Sequence, residues 1–159
     1  MKVILGSDKS GFTLKNALKA YLTGSGREVI EIGTTDAEKG VPFFIVAPEA
    51  AKKMQAGEAE RAILVCGTGM GMCQTANKFK GIRAACVESS YAARMCRAVN
   101  DSNVLCLGGW IIADTLGAEL AEIFLSTEFT QGLEPWRQEF LKNAKKEFQG
   151  IEDTVYPKA

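Results

Sequence analysis

Cys66 closes an apolar run, Ala62-Ile63-Leu64-Val65-Cys66, and the loop Gly67-Thr68-Gly69-Met70-Gly71 follows at once. A glycine-rich turn can aim several backbone N–H groups at one point, reinforced by the positive end of a following helix. Such a loop cradles an anion, whether a phosphate or the oxygen of a developing enolate. The same field favours thiolate, so a cysteine beside it gains reactivity near neutral pH. Cysteine is equally a small packing residue, and read alone Cys66 admits both roles. Asp8 is the second reactive type, set in Gly6-Ser7-Asp8-Lys9-Ser10-Gly11. A carboxylate there can serve chemistry or cap the first helix. Lys9 and Lys78 can be solvated charges, and Asn77 can close a short helix.

The chain contains no histidine. That excludes Ser-His-Asp and Cys-His pairs, His-containing zinc sites and imidazole acid–base catalysis. Proton transfer near neutral pH falls to a carboxylate, a lysine, a tyrosine or a thiol. The loop reads G-x-G-x-G, not G-x-G-x-x-G, and sits in the third βα unit, which argues against a dinucleotide fingerprint. No G-x-x-x-x-G-K-[ST] sequence occurs, so a P-loop is excluded. A thiol-redox module would want a C-x-x-C pair, and the cysteines at 66, 73, 86, 96 and 106 form none.

These residues need a scaffold, and the patterning supplies one. Short β-rich runs at Val3–Gly6, Val29–Gly33, Ala62–Cys66, Ile82–Val87 and Val104–Leu107 alternate with helical periodicity. The first helix carries Leu14, Ala17, Leu18, Tyr21 and Leu22 at helical spacing and stops at Gly24 and Gly26. Further helices are expected over about Phe44–Gln55, up to Lys78, over Ser90–Val99, and through Ile112, Leu116, Leu120, Ile123 and Phe124. A last helix shows Trp136, Phe140, Leu141, Ala144 and Phe148, followed by a polar tail. Alternating strands and helices predict a single α/β domain over 1–159 with a five-stranded, doubly wound parallel sheet, an α/β/α sandwich plus one extra C-terminal helix. Ligands of such sheets bind beyond the carboxyl ends of the strands. That rule selects the loops after Gly6, Ile32, Val65, Val87 and Leu107.

The 19 basic and 19 acidic side chains cancel, which argues against nucleic acid as a partner. No apolar stretch is long enough to span a membrane, and no signal-peptide pattern opens the chain. With an odd number of unpaired cysteines, a reduced, cytoplasmic protein is expected.

Several motifs together resemble the ribose-5-phosphate isomerase B family, which also holds the galactose-6-phosphate isomerase subunits. They are Gly6-Ser7-Asp8-Lys9-Ser10-Gly11-Phe12, Cys66-Gly67-Thr68-Gly69-Met70-Gly71, Ala76-Asn77-Lys78, Gly81-Ile82-Arg83-Ala84 and Asn100-Asp101-Ser102-Asn103. The resemblance covers about residues 1–137. It implies a Rossmann-like subunit that forms a dimer or tetramer with active sites shared between subunits. It also implies aldose–ketose isomerisation of a small sugar or sugar phosphate without cofactor or metal. Cys66 would be the carbon base, and the Gly67, Gly69, Met70 and Gly71 segment with Thr68 would hold a cis-enediolate. Asp8 would move hydroxyl protons, while Asn77 and Asn100 would hold sugar hydroxyls.

The chain also departs from the family pattern. Lys9 and Val99 stand where the family has histidines, the latter being the one thought to open the sugar ring. Phe43 and Phe44 lie in a segment that has lost two tyrosine hydroxyls. Trp110 and Leu133 replace arginines of the phosphate-binding set and Glu134 a histidine, while Arg137 is kept. A ribose 5-phosphate type of substrate is the first expectation from the resemblance. A galactose-6-phosphate type subunit, an isomerase of another, even unphosphorylated, sugar, and a weakly active sugar-binding partner subunit are the alternatives.

Overall fold

The computed structural model describes residues 1–156. In chain order the elements are β1 (Lys2–Ser7), α1 (Phe12–Gly24), β2 (Glu28–Gly33), α2 (Phe43–Gln55), β3 (Arg61–Cys66), α3 (Met70–Ala76), β4 (Ala84–Cys86), α4 (Ser90–Ala98), β5 (Val104–Gly108), α5 (Asp114–Ser126) and α6 (Pro135–Val155). The sheet is parallel throughout, with strand order β2-β1-β3-β5-β4. β3 is buried at every position, as its continuous apolar sequence requires of a strand covered on both faces. α1, α4 and α5 pack on one face through Leu14, Leu18, Ala93, Leu120 and Phe124. α2 and α3 cover the other through Val46, Ala50, Met72 and Ala76.

This wiring makes a switch point. β1 and β3 are neighbours, yet the chain leaves β1 toward α1 on one face and β3 toward α3 on the other. The loops diverge and leave a crevice between the strands' carboxyl ends, where doubly wound sheets bind ligands. Asp8 and Cys66 follow or end these two strands.

Two local expectations change. Asp8 does not cap α1, whose N-cap is Gly11; its carboxylate instead accepts the Gly11 N–H at 3.0 Å, bracing the turn ahead of the helix. The last helix runs on to Val155 and takes up most of the stretch that reads as a polar tail, because Ile151 and Val155 continue the apolar stripe of Trp136, Phe140 and Phe148. No residue of α6 is buried, and each of these five side chains is more than half exposed. Among the described residues, no helix is long and apolar enough to cross a membrane.

Candidate active site

The Cys66 side chain is 4% exposed, and its Sγ accepts the Gly69 N–H at 3.1 Å. That contact fixes the thiol side chain against the glycine loop. Gly69 can deliver that amide because its φ is +79°, a region closed to most side chains. A Cβ at Gly69 would also lie 2.8 Å from Cys86 Sγ and 2.9 Å from the Leu107 carbonyl carbon. Both conformation and space therefore demand glycine here. Thr68 Oγ1 accepts the Met70 N–H at 3.4 Å, and the Thr68 carbonyl receives Cys86 Sγ at 3.5 Å.

Neighbouring loops close on this turn. Gly109 N donates to Cys66 O at 2.7 Å and Trp110 N to Gly67 O at 3.0 Å, tying the β5–α5 connection to the cysteine. The Trp110 indole rests on Gly67, where a Cβ would come within 2.8 Å of the ring, and Phe43 lies over Gly71, where a Cβ would come within 3.1 Å. From β1, Asp8 N donates to Val65 O at 3.2 Å, which fixes the aspartate one strand away from the thiol. Burial raises the Asp8 carboxyl above the usual range, against the lowering effect of the Gly11 and Ser10 amides. A carboxyl shifted this way is better suited to exchange protons than a fully solvated one. Asp8, Lys9 and Ser10 face Gly40 through Phe44 across a cleft of about 380 Å³.

The other expected residues lie elsewhere on the protomer. Asn77 Nδ2 donates to Ala84 O at 2.9 Å and its Oδ1 accepts Ala84 N at 2.8 Å, so its amide serves as a backbone partner for the edge strand β4. Asn77 is also the C-cap of α3, the alternative its position allowed. Asn100 and Val99 line a second cavity of about 410 Å³ between the β4–α4 edge and α6. Arg137 sits in the first turn of α6 and lines neither cavity. Thus Cys66, Thr68, Asp8, Lys9, Gly67, Gly69, Met70, Gly71 and Trp110 come together, Asn77 and Asn100 share the second cavity, and Arg137 joins neither group.

Two features escape sequence reading. Cys73, read as packing, has its thiol lowered to about 7 because the Cys106 thiol hydrogen-bonds to it. Asp101, in a left-handed conformation with φ of +50°, binds Arg83, Arg97 and Lys145 at once. Burial opposes its ionisation, but Lys145 and the two arginines outweigh it and hold the carboxyl below its ordinary range. The Asn100-Asp101 pair was the available signal for this cluster, since both residues belong to one quoted motif. Nothing groups His, Cys, Asp or Glu side chains into a metal site among the described residues.

A parallel sheet covered on both faces, with a cysteine-led glycine loop at its switch point, makes this a Rossmann-like α/β protein. The Ribose/Galactose Isomerase family profile matches residues 3–139. The chain is 61% identical over 158 residues to a 4-deoxy-4-sulfo-D-erythrose isomerase of Clostridium sp. (strain MSTE9), covering 99% of each. It is 36% identical over 139 residues to ribose-5-phosphate isomerase B of Escherichia coli (strain K12), covering 87% of this chain and 92% of that one. The solved ribose-5-phosphate isomerase B of Clostridium thermocellum superposes with a TM-score of 0.88 at 35% identity, over 98% of this chain and 99% of its own. The chain belongs to the ribose/galactose isomerase family, and it is an isomerase of sugars as the motifs implied.

Proposed function

We propose that the protein interconverts an aldose and a ketose through a cis-enediolate with Cys66 as the base, and that its substrate is a four-carbon sugar bearing a sulfonate at C4. The Cys66 thiolate takes the proton from C2 of the aldose, and the electron pair forms the C1–C2 double bond as the carbonyl oxygen becomes an enolate. The 2-hydroxyl proton passes to O1 through Asp8, and the thiol returns its proton to C1. No redox partner enters this sequence. The observation that carries it is the Gly69 N–H directed at Cys66 Sγ inside a loop that only glycine can form. In this reading Thr68 and the glycine loop stabilise the enediolate oxygens.

The sulfonated tetrose rests on the 61% identity to an isomerase named for that sugar. Elementary chemistry supports it. A tetrose whose C4 carries sulfonate in place of hydroxyl cannot close a five-membered ring, so no group is needed to open one. Val99, where the family keeps its ring-opening histidine, and the complete lack of histidine fit an open-chain substrate. Ribose 5-phosphate, which cyclises, suits this site less well.

We also infer that a second copy completes the site. The α6 stripe is exposed, and Val99 and Asn100 face a cavity apart from Cys66. In the test, Cys66→Ala loses about 10³-fold in turnover of 4-deoxy-4-sulfo-D-erythrose while its circular dichroism stays native. The wild type run in D2O places deuterium at the carbon beside the carbonyl. Full activity in the alanine variant, or transfer without solvent exchange, removes the thiol base.

A further inference from the structure

Lys9 is an exposed cation, and no ion pair engages it among the described residues. Its stem is nevertheless seated. Gly40 backs onto it so closely that a Cβ there would lie 2.8 Å from Lys9 Cβ and 3.4 Å from its Cδ. The glycine lets the β2–α2 loop press against the lysine, and that loop is itself pinned where Val41 N donates to Thr34 Oγ1 at 2.9 Å. The cleft bounded by this loop holds one cation, Lys9, and one carboxyl, Asp8. Besides Ser10 and Gly40, the wall is apolar, with Val41, Pro42, Phe43 and Phe44.

We propose that Lys9, positioned by Gly40, binds the terminal anion of the substrate and makes the site select a monoanionic sulfonate over a dianionic phosphate. The proposal rests on the isomerase reading above. A sulfonate carries a single negative charge at every working pH, which one ammonium balances. A phosphate monoester carries about −1.5 to −2 at pH 7. Its surplus charge would lie beside Asp8 in a cleft that offers no cation besides Lys9, where like charges repel. Lysine suits a single compact charge, whereas bidentate recognition of phosphate calls for arginine. The chain has Trp110 and Leu133 where its family keeps arginines, and it keeps Lys9 unpaired.

The experiment compares 4-deoxy-4-sulfo-D-erythrose with D-erythrose 4-phosphate for wild type, Lys9→Met, Lys9→Arg and Gly40→Ala. Wild type prefers the sulfonate by about tenfold or more in kcat/KM. In Lys9→Met the KM for the sulfonate rises about 10- to 100-fold, kcat changes far less, and the preference collapses. Lys9→Arg recovers most of the KM and improves the phosphate. Gly40→Ala raises KM in the same direction by a smaller factor, with kcat kept. If wild type turns over the sulfonate but Lys9→Met keeps its KM, or wild type favours the phosphate, the role of Lys9 is overturned and the isomerase reading stands. If wild type turns over neither tetrose, the substrate reading fails and this proposal falls with it.

Discussion

The carboxyl end of the sheet and the α6 side of the protomer are built on opposite plans. Around Cys66 glycines bring backbone against backbone: Gly69 against Leu107, Gly109 against Ser10, and Gly11 within 2.4 Å of Val65 O if it carried a Cβ. Three strands of one chain deliver their loops to one point. α6 instead stands on the rim with no buried residue, held by polar ties such as Lys145 to Asp101 and Glu152 to Gly81 N. Trp136, Phe140, Ile151 and Val155 are more than half exposed, while Leu141 and Phe148 line the cavity under the helix. Chemistry that requires preorganisation sits where the fold is most constrained. The exposed stripe on α6 is what motivates the inference above of a second copy.

The largest test removes the partner and spares the thiol loop. Phe140→Asp combined with Trp136→Asp puts two charges on the stripe, at positions 63% and 69% exposed in the protomer. Sedimentation is expected to show a monomer where the wild type is a dimer or larger. Activity is expected to drop by at least about 100-fold, because an incompletely assembled site loses its positioning, with little change in monomer folding. A variant that stays fully active as a monomer would show that one chain suffices. The contrast would then be one of packing only.

The next effect breaks the constrained side. Gly69→Ala must fit a side chain at φ +79° into a gap closed by Cys86 and Leu107. Left-handed backbone alone costs about 1–2 kcal/mol, and the contacts bring the total to about 2–4 kcal/mol. Turnover should fall about 10- to 100-fold as the Gly69 amide leaves Cys66 Sγ. Gly57→Ala is the control: its φ is +76° but nothing lies within 4 Å of the added Cβ. It should cost about 1 kcal/mol by urea denaturation and leave kcat unchanged.

The same contrast explains what the sequence made legible. The Cys66 loop is contiguous, and its glycines, apolar approach and helix signal all act over a few residues, so its fold can be read directly. Asp8 and Lys9 follow from the rule that places sites beyond strand ends. The order β5 inside β4 could not be read: β4 is only three residues, and connection length does not say which strand occupies the edge. Phe43 over Gly71 depends on how α2 docks, which no local pattern encodes. α6 shows the limit most plainly. Periodicity reveals that a helix has an apolar face, but the same stripe serves a core or an interface, and this one is not covered by its own chain. Asn77 shows the converse, since a residue fit to bind sugar hydroxyls is occupied by the edge-strand backbone.

The smallest predicted effect concerns how α6 is attached. Lys145 on α6 meets Asp101, which also binds Arg83 at 3.0 Å and Arg97 at 2.9 Å. The lysine is 47% exposed on its side chain, so solvent screens the pair and its contribution is about 1 kcal/mol or less. Asp101 has a folded pKa below its unfolded value. A group of that kind stabilises the folded state above the unfolded pKa of about 3.9, and that stability is lost as pH falls through the lower folded pKa. Lys145→Met should therefore unfold at slightly lower urea than wild type at pH 7. The two curves should converge at pH values acidic enough to protonate Asp101, because the ion pair no longer exists in either protein. A difference that persists unchanged at low pH would assign the lysine's contribution to the packing of its stem against Phe129, whose ring lies 5.2 Å from Nζ. The attachment of α6 would then be apolar, and the distinction between the two regions would narrow to the presence or absence of glycine-made contacts.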